Sequence, residues 1–363
     1  MKTGRQRRLR RVLLLGLLLG LLAGGTMEKT TYAARSVGDM DGNGTVTAAD
    51  AARILRAAQR YTVLTSEQRI CADVTANNVL DGTDARAAAW LATGQIVDYG
   101  AFLASIRSGL CDERYFDRFR YTGVTDSGDG NYRSKNVGVW ITRGEAYNSV
   151  YYLADIYIRD IQALKTGFGG NKYQGGSEKV GVMAANLEAI VAVNGDYYAW
   201  RAAGPLVRNG EVYREYVSYS GEIAFLSKDG TFTTLPAGLV GRDTVTQLDV
   251  YQTWMFGPPL LDENGNAKTK FTGQLLKYNP RSVFGYYEPG HYALILVDGR
   301  QKDYSLGMEM QELSSLCHDL GLAAAYNLDG GRSAVMASKY GPISHPQSKD
   351  GRPVSDIVYV CEP

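Results

Sequence analysis

Near the start of this chain, a twelve-residue pattern of oxygen-bearing side chains occurs twice, thirty-four residues apart. No other feature limits the local fold as strongly. In Asp39-Met-Asp41-Gly-Asn43-Gly44-Thr45-Val-Thr47-Ala-Ala-Asp50, side-chain oxygens stand at positions 1, 3, 5, 9 and 12. Thr45 offers its carbonyl at position 7, and Gly44 allows the sharp turn at position 6. A hard dication needs roughly six to eight oxygens from a compact loop, and this alternation supplies them. The pattern returns with Asp73, Thr75, Asn77, Asn78, Val79, Asp81 and Asp84. Asn78 replaces the glycine, which is tolerable because Asn visits positive φ more readily than most residues. Thr75 replaces a better ligand, so the second loop is expected to bind more weakly. Acidic residues capping helices would explain one loop, but not two in register.

Each loop runs into an alanine-rich helical stretch, 48–60 and 83–93, as in half of an EF-hand. Over residues 36–95 the chain therefore resembles a dockerin, the paired calcium-loop module that docks on cohesin domains. The resemblance implies Ca2+ as cofactor, held by Asp39, Asp41, Asn43, Thr45 and Asp50 and by Asp73, Thr75, Asn77, Val79 and Asp84. It also implies a cohesin-type scaffold as partner. The helices are dominated by Ala and Arg, so no cohesin-facing residues can be named. A module packing on its own chain stands beside that reading.

Residues 1–34 read as a secretory signal peptide. A cationic stretch through Arg11 leads into the apolar block Val12–Ala23, then Gly24 and Gly25. A block of about twelve residues is short of the roughly twenty that span a bilayer, so no stable membrane span is expected. An uncleaved anchor is the alternative. The leader points to a secreted or cell-surface protein. It carries a net charge of +6 against +1 for the whole chain, leaving the remainder mildly acidic at −5. Nucleic acid is thereby an unsuitable partner, because phosphate binding wants a clustered cationic face. Export permits disulfides. Cys71, Cys111, Cys317 and Cys361 allow three pairings or none, and no spacing resembles a zinc site.

With 45% hydrophobic and 21% charged residues, the chain has ample material for a folded core. Residues 96–132 are expected to bridge the calcium module to a domain over 133–363. There the periodicity turns toward strands, at 136–142, 150–158, 190–193, 282–287, 291–297, 323–328 and 356–361. Asn209-Gly210, Asp229-Gly230 and Glu288-Pro289-Gly290 mark hairpin turns. Helices are expected over 177–188 and 309–320. The fold class is α+β: a domain of mixed or antiparallel sheet with flanking helices, preceded by a small all-α module.

Polar clusters follow or open these strands: Asn194-Gly195-Asp196-Tyr197-Tyr198, Asn279-Pro280-Arg281, Asp298-Gly299-Arg300, Asn327-Leu328-Asp329-Gly330-Gly331-Arg332-Ser333, and Arg352 with Asp356. Carboxylates, arginines and glycine-freed amides are the parts needed to handle an anion beside a sugar. Each cluster alone is first of all a turn. Tyrosines such as Tyr197 and Tyr198 suit sugar stacking as well as ordinary cores. His291, His318 and His345 are scattered and support no histidine-centred mechanism. There is no P-loop, no G-x-S-x-G elbow and no H-E-x-x-H motif.

The order of these clusters, together with Phe256-Gly257-Pro258 and Val354-Ser355-Asp356-Ile357, resembles the phosphodiester glycosidase family across residues 133–363. The resemblance implies a hydrolase that cleaves a sugar C1–O–phosphate linkage to free sugar and phosphomonoester, on a glycan or glycoconjugate. It implies Asp329 as first candidate for the catalytic carboxylate, Asp196 as second, and Arg281 as the cation on the phosphate. Asn194 would bond a sugar hydroxyl. Gly330, Gly331 and Ser333 would hold a phosphate oxygen, and Asp298 and Asp356 would orient loops or take part in binding. The family motif ordinarily continues with glycine and hydroxyl residues, whereas here it runs Arg332-Ser333-Ala334-Val335-Met336. Arg332 is thus a candidate for a second phosphate or an acidic sugar. The same departure supports an alternative: a glycan-binding protein without catalysis, docked through its calcium module.

Overall fold

The computed structural model describes residues 35–121, 123–215, 218–271 and 277–363. The expected signal peptide lies outside these residues. No described helix is long and apolar enough to cross a membrane.

Both acidic loops end in helices whose third residue is the position-12 aspartate. Asp50 accepts the amide of Thr47 at 2.9 Å before helix Ala48–Ala58. Asp84 accepts that of Asp81 at 3.0 Å before helix Gly82–Ala92. Each carboxylate thus satisfies an amide that the first turn would otherwise leave unpaired. A helix at Ser66–Ala72, which the loop pattern does not predict, is announced only by the reciprocal Thr65–Gln68 cap. Met40, Ile54, Ala72, Val74, Ala87 and Ala88 form the core between the helices.

The stretch expected as a bridge contributes to that core. Helix Tyr99–Arg107 adds Phe102 and Ile106, and Phe116 meets Trp90 edge-on at 5.1 Å. The same stretch touches the sheets. The Arg159 guanidinium donates to the Ser105 carbonyl and the Tyr121 hydroxyl and lies 4.3 Å from the Phe119 ring centroid.

Among the described residues, four antiparallel sheets follow. The seven-stranded one runs Thr125–Asp126, Tyr132–Arg133, Val137–Ala146, Ser149–Ile158, His291–Val297, Arg281–Glu288, Ala324–Asn327. The five-stranded one runs Gly341–Pro342, Met336–Ser338, Val191–Asn194, Asp356–Val360, Leu164–Phe168. A three-stranded sheet of Phe232–Pro236, Glu222–Ser227 and Val250–Trp254, and the hairpin Leu206–Arg208 with Glu211–Arg214, complete the set. Strand His291–Val297 shows why its sequence is apolar without alternation. Tyr292, Leu294 and Leu296 face a core shared with Val191, Val193 and Val358 of the second sheet. Ala293, Ile295 and Val297 face helix Met310–Asp319, through Met310, Leu313 and Cys317. The two large sheets therefore enclose one core, and their polar strand ends at Asn194, Arg281, Asn327 and Asp356 come together at its edge. All four cysteines are buried and free.

Candidate active site

Strand Val191–Asn194 ends against strand Asp356–Val360, and the Gly195 amide donates to the Asp356 carbonyl at 2.8 Å. A side chain at 195 would overlap the Asp356 carboxylate, so the approach needs glycine. Two residues on, Tyr197 takes a left-handed φ of 72°. Its ring then stacks near Trp200, with centroids 5.9 Å apart.

Beneath this turn lies an arginine that the sequence pattern does not single out. Arg208 Nη2 donates to Asp196 Oδ1 at 2.8 Å and to Asp356 Oδ2 at 3.0 Å, and all three residues are no more than 1% exposed. No alternation marks this arginine: Leu206, Val207 and Arg208 are all buried, in a short strand whose register shifts between Leu206 and Val207. Asp196 Oδ2 accepts the Met255 amide at 2.8 Å, so both its oxygens are engaged. Burial pushes the Asp356 carboxyl up, to about 7; Arg208 pulls it back, and the neighbouring Asp196 charge pushes it further up.

Asp329 follows strand Ala324–Asn327 and is held on every polar atom. Its amide donates to the Gly195 carbonyl at 3.2 Å, and its carbonyl accepts Asn194 Nδ2 at 2.6 Å. Oδ1 accepts the Gly330 amide at 2.9 Å, and Oδ2 accepts Arg352 Nη2 at 2.8 Å. Arg352 Nε also donates to Ser333 Oγ at 2.6 Å.

Asp329 and Arg352 form the wall common to two cavities. One, of about 270 Å³, is lined by Ser177, Tyr197, Trp200, Ser333, Asp356 and the shared pair. The other, of about 430 Å³, carries Arg281, Arg300 and Arg332 beside the pair, with Asn279 and Phe256. Four arginines and a single carboxylate therefore line this cavity. Arg281 donates to the Met308 and Lys277 carbonyls at 2.9 and 2.8 Å. Burial, reinforced by the Arg300 charge and opposed by Glu309, lowers its pKa to about 10, and it stays cationic at neutral pH.

Seven of the expected residues line a cavity: Asp329, Arg281, Gly330, Gly331, Arg332, Ser333 and Asp356. Three lie behind the walls. Asn194 is fully buried, donating to the Asp329 carbonyl and accepting Ser282 Oγ at 2.5 Å, so its amide is engaged in holding the loop. Asp196 anchors Arg208. Asp298 accepts the Tyr304 hydroxyl and the His345 amide at 3.1 and 3.0 Å, its carboxyl raised by burial in spite of them. The Gly330 and Gly331 amides, expected to hold a phosphate oxygen, are bonded to Asp329 Oδ1 and the Pro280 carbonyl. Gly331 contributes shape, with φ 62° and the Arg300 guanidinium packed where a side chain would stand.

In the first acidic loop, ligand atoms of Asp39, Asp41 and Asp50 lie within 4.8 Å of one another. Asp39 accepts the Gly42 and Gly44 amides at 2.8 and 2.9 Å, which aims its carboxylate into the loop. Burial raises the Asp50 carboxyl, but bonds from Thr47 and Met40 and the Arg53 charge outweigh it and leave the group lowered. The donor set fits a hard dication. In the second loop Thr75 Oγ donates to Asp84 Oδ1 at 2.9 Å, and burial dominates, raising the Asp84 carboxyl.

Residues 187–361 match the sequence model of the phosphodiester glycosidase family, and residues 37–87 that of the dockerin type I domain. Among solved structures, the fold is similar to the catalytic domain of zebrafish N-acetylglucosamine-1-phosphodiester alpha-N-acetylglucosaminidase, auto-inhibited by its pro-peptide. The TM-score is 0.51 at 21% identity, over 62% of this chain and 83% of that one. A hypothetical protein from Synechocystis gives a TM-score of 0.49 at 13% identity, over 62% of each chain. No curated protein matches. Residues 187–361 thus carry the sequence pattern of the phosphodiester glycosidase family, and residues 37–87 that of a dockerin type I domain.

Proposed function

We propose that the protein is a secreted glycosidase that hydrolyses a sugar-1-phosphodiester to free sugar and phosphomonoester. One observation carries the reading. An aromatic, acidic cavity and a four-arginine cavity adjoin through Asp329 and Arg352. A sugar in the first, stacked on Tyr197 and Trp200, and its phosphate in the second would put the C1–O bond across that wall.

When the bond breaks, its electron pair goes to the phosphate oxygen, and the phosphate passes from one negative charge toward two. Arg281 and Arg352 stabilise that growing charge in a partly dry site. Asp329 stabilises the positive charge developing at C1. Water bonds through its oxygen to C1 and gives its proton to Asp356, from which it returns to solvent. A carboxyl raised toward neutrality suits that base. Asp196 and Arg208 position Asp356, and Asn194 positions Asp329.

In the N-terminal module, Asp39, Asp41, Asn43 and Asp50, with the Thr45 carbonyl, would hold Ca2+. The ion, when bound, neutralises the converging carboxylates and fixes the loop against helix Ala48–Ala58. A cohesin-type scaffold is the partner proposed for the module.

The test is a panel of sugar-1-phosphodiesters beside matched aryl glycosides, run with the full chain and with Arg281→Ala and Arg352→Ala. Turnover of phosphodiesters alone, lost in the folded variants, is expected. Equal turnover of aryl glycosides, or none of any substrate by folded protein, overturns the reading.

A further inference from the structure

The four-arginine cavity holds more positive charge than a phosphodiester can answer. Arg352 is already paired, its Nη2 on Asp329 and its Nε on Ser333. Arg281 is buried at 4% exposure on the inner wall. Arg300 and Arg332 differ from both, because each is exposed to solvent while lining the same cavity. Arg300 is fixed by a neutral partner, with Nε and Nη2 donating to Asn279 Oδ1 at 3.1 and 2.6 Å. Its guanidinium packs on Gly331, and Arg332, the next residue, lines the same cavity. Among the described residues, neither has a carboxylate within ion-pair distance. Cations held together without counter-charge are unfavourable in the free protein, and Arg300 contributes to the lowered pKa of Arg281. An anion relieves that repulsion.

We propose that Arg300 and Arg332 form a second anion subsite at the solvent side of the cavity, which selects sugar-1-phosphodiesters whose aglycone carries a further anionic group. The inference rests on the glycosidase reading for the bridging phosphate at Arg281, and it names the substrate class: a glycan or glycoconjugate bearing more than one negative charge. Arginine suits the task, since its planar fork bonds phosphate or carboxylate oxygens in pairs.

Binding to the full chain tests this without depending on turnover. Propyl phosphate, propane-1,3-diyl bisphosphate and 4-phosphonooxybutanoate are titrated by calorimetry into the native protein, Arg300→Ala, Arg332→Ala and Arg332→Lys. The bisphosphate is expected to bind about tenfold more tightly than propyl phosphate, as befits one additional charge-assisted contact. That ratio falls toward one in both alanine variants, survives in Arg332→Lys, and shrinks as salt is raised. An advantage confined to the bisphosphate identifies the second group as phosphate, and one shared by the carboxylate probe extends it to acidic sugars. Equal affinity of native protein for all three probes overturns the subsite. Failure of the glycosidase reading shows up separately, as tight bisphosphate binding by a protein that hydrolyses no phosphodiester.

Discussion

Arg352 Nη2 lies 2.8 Å from Asp329 Oδ2, and both residues line the aromatic cavity and the cationic one. The pair is partly exposed, at 37% and 12% for the two side chains, so its worth to folding is about 1 kcal/mol or less. Its proposed worth to catalysis is much larger. Asp329→Asn keeps the shape and one hydrogen-bond acceptor but removes the charge facing C1. kcat/KM on a sugar-1-phosphodiester is expected to fall at least about 100-fold, with Tm lowered by only about 2–4 °C. Steady-state kinetics and a thermal melt on the same preparation check this, and retained turnover removes Asp329 from the mechanism.

The buried Asp196–Arg208–Asp356 cluster makes the opposite prediction, a loss of stability. Removing Arg208 leaves two carboxylates out of water with no cation between them. Arg208→Met is expected to cost about 3–5 kcal/mol, because an unpaired buried charge is far worse than no charge at all. The Asp196→Asn/Arg208→Met/Asp356→Asn triple variant should recover much of that loss. Urea denaturation gives both numbers, and a triple variant no more stable than Arg208→Met contradicts the charge argument.

Asp356 also sets a pH dependence whose sign is fixed by its raised carboxyl. The folded state binds this proton up to about pH 7, while the unfolded chain releases it near pH 4, as an ordinary aspartate does. Between those values the native state holds more protons, so its contribution to stability is complete below about pH 4 and lost as pH rises through 7. Asp356→Asn should flatten that part of the stability profile. Activity runs the other way: as a base Asp356 works when deprotonated, so kcat/KM is expected to rise with pH toward neutrality. A falling limb over the same range would make Asp356 an acid.

How far these features were legible in the sequence depends on how local they are. The hairpin at Asn209-Gly210 and the helix 310–319 follow from dihedral preference and apolar spacing within a few residues. Strand His291–Val297 is visible as an apolar run, but its two different burial faces need both sheets in place. The site divides in the same way. Asp329, Arg281 and Ser333 could be named from their motif, yet the ranking of Asp196 above Asp356 could not be refined without the fold. The two aspartates share Arg208 and are equally buried, and only the path of the chain at Gly195 turns Asp356 toward the cavity and Asp196 toward Met255. Arg208 lies twelve residues from Asp196 and 148 from Asp356, so no local pattern connects the three.

Calcium should act on the two acidic loops unequally. In the first, the carboxylates of Asp39, Asp41 and Asp50 converge within 4.8 Å, a repulsive arrangement that a dication relieves. In the second, the Thr75 hydroxyl is bonded to Asp84 at 2.9 Å, and no comparable acidic group occurs there among the described residues. Calorimetric melting of the full chain is expected to show an N-terminal transition that moves up with calcium and down with chelator. Asp39→Ala should abolish most of that shift, whereas Asp73→Ala should leave the larger part. The shift follows ligand concentration as RT ln(1 + [L]/Kd), so titrating calcium gives the affinity of each loop. Because Phe102, Ile106 and Phe116 share a core with these helices, the chelated protein should also lose protection of the amides in 99–107, read by hydrogen exchange. Protection unchanged by chelator would mean that the apolar core holds this module without the ion.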